Sequence, residues 1–88
     1  QYYMSKNKIE LTPEIDVDAI LVAMTAKYAH EQISTIDGVK IDFATEWVHL
    51  RKSNTEPIIR IYTEAPTQQA ADALALRIID EIKAVISK

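Results

Sequence analysis

The apolar positions along this chain fall into two periods. Between residues 16 and 31, Val17, Ile20, Leu21, Met24 and Tyr28 recur at spacings of three and four, which gathers them into one stripe of a helix. Asp16 suits the N-cap of that helix, and Asp18 suits the positive end of its dipole. The period then drops to two. Val39, Ile41 and Phe43 alternate with Lys40 and Asp42, Val48 and Leu50 with Trp47, His49 and Arg51, and Ile59 and Ile61 with Arg60 and Tyr62. Asp37-Gly38, between apolar segments at 33–36 and 39–43, predicts a hairpin with positive φ at both turn positions. After Pro66 the helical period returns and runs to about residue 86. Thr67 is its predicted N-cap, and Ala71, Leu74, Ala75, Ile78, Ile82 and Val85 form its stripe.

Two amphipathic helices need an apolar surface to cover, and one face of an alternating antiparallel sheet supplies it. The pattern therefore predicts an α+β two-layer sandwich: a four-stranded antiparallel sheet with two helices packed on one face. Residues 1–11 are mixed and polar. A short strand fits near 8–11, but a hinge or linker is the expectation for 1–11, with the domain itself at 12–88. Thr12-Pro13 bounds that segment, because the residue before a proline is pushed out of the helical region.

Composition narrows the function classes. Apolar residues make up 48% and charged residues 26%, an ordinary balance for one small folded domain. There is no cysteine, so disulfides, thiolate nucleophiles and cysteine metal sites are excluded, which fits a cytoplasmic location. Thirteen acidic against ten basic residues leave a net charge of −3, the wrong sign for a dedicated nucleic-acid binder. No apolar run reaches the length of a membrane span. The chain opens on Gln1 instead of methionine, which points to a piece of something longer.

One stretch stands outside the packing pattern. The segment R-K-S-N-T-E-P at 51–57 leaves one strand and enters the next, and it is dense in hydrogen-bond donors. Arg51 offers a planar fork that matches two oxygens of a phosphate or carboxylate. Ser53 and Thr55 add hydroxyls, Asn54 adds an amide, and successive backbone N–H groups in such a turn can converge on an anion. Pro57 stiffens the exit. Arg51, Lys52 and Arg60 face only Glu56, a local charge of +2 within an acidic chain, which suits a small anion better than a polymer. By composition alone the same residues serve equally well as a polar hairpin connection.

The loop R-K-S-N-T-E-P, preceded by W-V-H-L and followed by I-I-R-I-Y-T-E-A, resembles the C-terminal (fourth) domain of the α-D-phosphohexomutases, which include phosphoglucomutase, phosphomannomutase and phosphoglucosamine mutase. Asp37-Gly38-Val39-Lys40-Ile41 is similar to a segment that the family places before this loop, and residues 3–11 are similar to its hinge from the preceding domain. The resemblance covers nearly the whole chain. It implies a TATA-box-binding-protein-like β-α-β4-α order and a role inside an intramolecular phosphotransferase. In that family a phosphoserine in the first domain phosphorylates a hexose phosphate, and the bisphosphate intermediate then returns its other phosphate to the serine. The C-terminal domain grips the phosphate not being transferred. By that resemblance Arg51, Ser53, Asn54 and Thr55 bind the substrate phosphate, and the substrate is glucose or mannose 1- or 6-phosphate. Magnesium belongs to the parent enzyme and is held by another domain; no catalytic residue and no metal ligand is expected within these 88 residues. The expected partners are the hexose phosphate and the other domains of the same chain, with no nucleic acid and no membrane. Lys52 departs from the small residue or proline common at its position, which either leaves the loop less rigid or adds charge to the site. Asn54, which is glycine in many phosphoglucosamine mutases, leans toward the phosphomannomutase/phosphoglucomutase branch.

The remaining polar and aromatic residues are read more plainly. His49 lies on the Arg51 side of its strand, within approach of an anion, but a solvated or interdomain histidine is the expectation. His30 is placed at the end of the first helix, and Asp72, Asp80 and Glu81 on a solvated helix face. Trp47 and Tyr62 belong to the more exposed sheet face, where they cover an interdomain contact or stack on a base. A single-stranded RNA platform is disfavoured by the acidic balance. The alternative to the mutase domain is an independent regulatory module that binds a small phosphorylated or carboxylated ligand.

Overall fold

The computed structural model describes residues 1–87. The chain runs β1 (Tyr3–Glu10), α1 (Val17–Lys27), β2 (Gln32–Ser34), β3 (Val39–Asp42), β4 (Trp47–Lys52), β5 (Ile58–Ala65) and α2 (Gln68–Ile86). All five strands are antiparallel, in the order β1-β5-β4-β3-β2. This is the α+β sandwich expected from the pattern, with element order β-α-β4-α and one strand more in the sheet.

The added strand is β1, in the segment for which a hinge or linker was expected. All eight of its residues pair with β5, from Tyr3↔Ala65 to Glu10↔Ile58. Its inward-facing positions are Ser5, Asn7 and Ile9, and Asn7 Nδ2 donates to Ser5 Oγ at 2.8 Å. Only Ile9 joins the core. With two polar residues turned inward, the apolar alternation that marks a strand is absent, and pairing with β5 forms the strand instead. Lys6 and Lys8 face outward along this sheet edge, where charge discourages pairing with another chain.

The helices begin where their caps predict. Asp16 Oδ1 accepts from Ala19 N at 3.1 Å, and Thr67 Oγ1 accepts from Ala70 N at 3.0 Å. α1 ends earlier than 31. Tyr28 leaves the helical region at φ −109°, and short turns carry the chain through residues 28–31 into β2. Met24, Ile41, Leu50, Ile59, Ile61, Ile78 and Ile82 are fully buried between the layers, each adding about 1.5–3 kcal/mol relative to exposure. Tyr28 is also buried: its ring packs edge-on to Phe43, and its hydroxyl donates to Glu81 Oε1 at 2.5 Å. Glu81 is therefore half-buried and bonded across the two helices, not a residue of the solvated face. Burial, followed by the Glu81 carboxylate, pushes the Tyr28 phenol up to about 12.

The β2–β3 connection differs from the two-residue hairpin expected. It spans residues 35–38, and among the described residues only Gly38 has positive φ, at 74°. Asp37 keeps ordinary backbone, and Ile36 stands almost fully exposed instead of lying in the strand. Gly38 is fixed by crowding as well as by φ. A Cβ there would sit 2.2 Å from the Leu50 carbonyl oxygen in β4.

Candidate functional site

β4 and β5 pair from Trp47↔Glu64 to Lys52↔Ile59, and their connection, residues 53–57, forms one end of the sheet. Alternation along β4 buries Val48 and Leu50 against the helices and turns Trp47, His49 and Arg51 to the open face. Ser53 N donates to Ile58 O at 3.3 Å, which closes the connection. Leu11 N donates to Pro57 O at 2.7 Å, so the residue after β1 anchors the loop exit. The last residue of the segment expected to be a hinge thus contacts the connection that carries the candidate site.

All four expected phosphate-binding residues lie in or beside this connection, but the structure does not use them alike. Ser53 Oγ accepts from Thr55 N at 3.2 Å and from Glu56 N at 3.3 Å, and it stands 3.4 Å from Thr55 Oγ1. The backbone N–H groups expected to converge on an anion converge on this hydroxyl. Both contacts lie at the long end of the usual N–H···O range. Arg51 and Asn54 line a cavity of about 330 Å³ together with Lys52, Asp18, Leu21, Thr35, Asp37 and Gly38. Ser53 and Thr55 sit outside its lining. The geometry therefore divides the set: Arg51 and Asn54 face the cavity, while Ser53 and Thr55 order the turn beside it.

The cavity carries two ion pairs. Arg51 Nη2 lies 3.3 Å from Asp37 Oδ2, and Lys52 Nζ donates to Asp18 Oδ1 at 2.8 Å. Two cations thus face two carboxylates, and the lining is formally neutral. Each pair is well exposed, a setting in which ion pairs contribute about 0–1 kcal/mol. An anion of higher charge density can take either cation from its carboxylate at small cost.

Asp37 and Asp18 line the cavity of the candidate site, a placement the sequence pattern did not predict. Asp37 was legible in part, because pairing of Val39 with Leu50 brings residues 37 and 38 beside Arg51. Nothing in the sequence links Asp18 to Lys52, 34 positions away; the packing of α1 beside the end of β4 does that. His49 Nε2 is engaged by the Asp37 carbonyl oxygen, which turns it to the β2–β3 connection. Trp47 and Tyr62 do lie on the open face. Trp47 Nε1 donates to Glu64 Oε1 at 3.0 Å, and the Lys40 ammonium sits 5.0 Å from its ring centroid. His30 is beyond the end of α1 and pairs with Glu31 at 3.4 Å. Among the described residues, no group of three or more histidine, aspartate or glutamate side chains stands together in a way that could hold a metal ion. No helix among them is long and apolar enough to cross a membrane.

The chain is similar to several curated proteins over most of its length. The phosphoglucosamine/phosphogalactosamine mutase of Sulfurisphaera tokodaii is 38% identical over 88 residues, covering 98% of this chain and 18% of the relative. The phosphoglucomutase/phosphomannomutase of Thermococcus kodakarensis is 36% identical over 84 residues, covering 92% of this chain and 18% of the relative. The phosphomannomutase/phosphoglucomutase of Pseudomonas aeruginosa PAO1 is 32% identical over 85 residues, covering 86% and 18%. The chain spans about a fifth of the length of these curated relatives. Residues 7–81, which run from inside β1 to the last third of α2, match the family described as phosphoglucomutase/phosphomannomutase, C-terminal domain, and the chain belongs to that family.

Proposed function

We propose that this domain grips the non-transferred phosphate of a hexose phosphate inside a phosphohexomutase, an isomerase that moves a phosphoryl group within one sugar through a bisphosphate intermediate. The observation that carries this reading is the placement of Arg51 and Asn54 on one cavity beside the Ser53–Thr55 turn, in a chain of this family. Arg51 supplies permanent charge and a two-pronged donor for two phosphate oxygens. Asn54 contributes an amide donor from the loop, and the Ser53 and Thr55 hydroxyls complete the set as the turn adjusts around the ligand. The phosphoryl-donating serine and the magnesium site belong to other domains in this reading, so the role of these residues is to bind and orient. Residues 1–11 join the domain to a preceding one, with β1 travelling as part of the sheet. The substrate class is a hexose phosphate such as glucose or mannose 1- or 6-phosphate, held between this domain and the others of the same chain.

Steady-state kinetics of the full-length enzyme test the assignment. Arg51→Ala is expected to remove about 2–4 kcal/mol of phosphate interaction, seen as a fall in kcat/KM. Arg51→Lys is expected to recover only part, because a point charge does not reproduce the fork. Unchanged turnover and substrate affinity in Arg51→Ala would refute it.

A further inference from the structure

We infer that Lys52 is an additional phosphate ligand of this site and that Asp18 is its built-in competitor, so that α1 sets how tightly the loop holds a phosphate. The inference rests on the phosphate-binding reading of the loop and adds a residue pair to it. Lys52 and Arg51 are neighbours at the end of β4 whose side chains leave opposite faces of the strand, and both reach the same cavity of about 330 Å³. Asp18, in the first turn of α1, lines that cavity as well and holds the Lys52 ammonium at 2.8 Å. The Lys52 charge is therefore brought to the rim of the site and occupied there by a carboxylate.

Three features make this contact replaceable. Both partners are exposed, with 44% of the Lys52 and 69% of the Asp18 side chain accessible, so solvent screens their attraction. A lysine ammonium is a point charge on a flexible stem, able to turn to a new acceptor without the geometric demands of a guanidinium. A phosphate dianion in the cavity offers more charge and more acceptor oxygens than one carboxylate. Binding then proceeds as an exchange in which Lys52 moves from Asp18 to the phosphate, leaving Asp18 to water. Arg51 is held by Asp37 from the opposite side in a parallel arrangement, so the unliganded lining is neutral. A neutral lining favours a small, highly charged anion over a weakly charged one, because only the former displaces both carboxylates.

A double-mutant cycle on the full-length enzyme tests the exchange, with titration calorimetry against glucose 1-phosphate. Lys52→Ala is expected to weaken binding ~3–10-fold, and Asp18→Asn to tighten it ~2–5-fold. In the Lys52→Ala background, Asp18→Asn is expected to leave affinity unchanged, because the competitor acts through the lysine. If Arg51→Ala weakens binding while Lys52→Ala or Asp18→Asn alone changes nothing, the inference is overturned and the loop reading stands. If Asp18→Asn tightens binding equally with and without Lys52, Asp18 acts through its field on the anion and the exchange is overturned. If Arg51→Ala itself leaves binding unchanged, the loop reading fails and the inference falls with it.

Discussion

Replacing Gly38 with alanine is expected to damage both the sheet and the loop. At φ 74° an L-residue pays about 1–2 kcal/mol that glycine does not. The larger cost comes from contact. The new Cβ would lie 2.2 Å from the Leu50 carbonyl oxygen and 3.3 Å from the Arg51 Cα, both backbone atoms of β4. No rotamer change relieves such a clash, so β3 and β4 must separate or the 35–38 connection must reshape. The two effects together are expected to remove about 2–4 kcal/mol of stability, within the range for strain at a special backbone position. At about 4–8 °C per kcal/mol for a domain of this size, the melting temperature is expected to fall by about 8–32 °C. Chemical and thermal unfolding of the 88-residue chain measures this directly, provided that the transition is two-state. Gly38→Asn separates the causes, because asparagine tolerates positive φ yet carries the same Cβ. If contact dominates, Gly38→Asn is nearly as damaging as Gly38→Ala. A loss below about 0.5 kcal/mol in Gly38→Ala would show that the β3–β4 approach has slack, and the reasoning would be wrong.

The other predictions are independent of this one. The Tyr28 phenol is raised from 10 to about 12 in the folded state, so its contribution to stability is complete below pH 10 and is lost as pH rises toward 12. Tyr28→Phe is expected to cost about 1–2 kcal/mol in urea unfolding at pH 8 and progressively less above pH 10; a cost that stays constant up to pH 12 contradicts the assignment. Thr63 is the buried polar residue of the core, and its hydroxyl donates to Ala71 O at 2.7 Å, tying β5 to the first turns of α2. Thr63→Val keeps the shape and removes that bond, with an expected loss of about 0.5–1.5 kcal/mol; a stabilised variant would mean that the hydroxyl contributes nothing. If the phosphate clamp closes by movement of a rigid domain, small-angle scattering of the full-length enzyme should show compaction on adding glucose 1-phosphate. An unchanged radius of gyration would favour a preformed site.

What the sequence determined by itself was whatever depends on neighbours along the chain. Helix stripes, the Asp16 and Thr67 caps and the alternation of β3, β4 and β5 follow from local periodicity, and they were sufficient for the two-layer fold. The R-K-S-N-T-E-P loop was visible for the same reason, since its donors are consecutive. Tertiary structure decided what depends on partners far away in sequence. β1 carries too little apolar alternation to be read as a strand, and only its eight-residue ladder with β5 makes it one. Among the described residues Gly38 alone takes positive φ, where β4 approaches closely, while Asp37 keeps ordinary backbone. Glu81 looks solvated on its helix until the Tyr28 hydroxyl reaches it from α1. The site divides along the same line. Its cations are neighbours at the end of β4, but their carboxylate partners, Asp37 and Asp18, arrive from the β2–β3 connection and from α1. Charge pairing across space has no local period, so packing alone set which carboxylate met which cation.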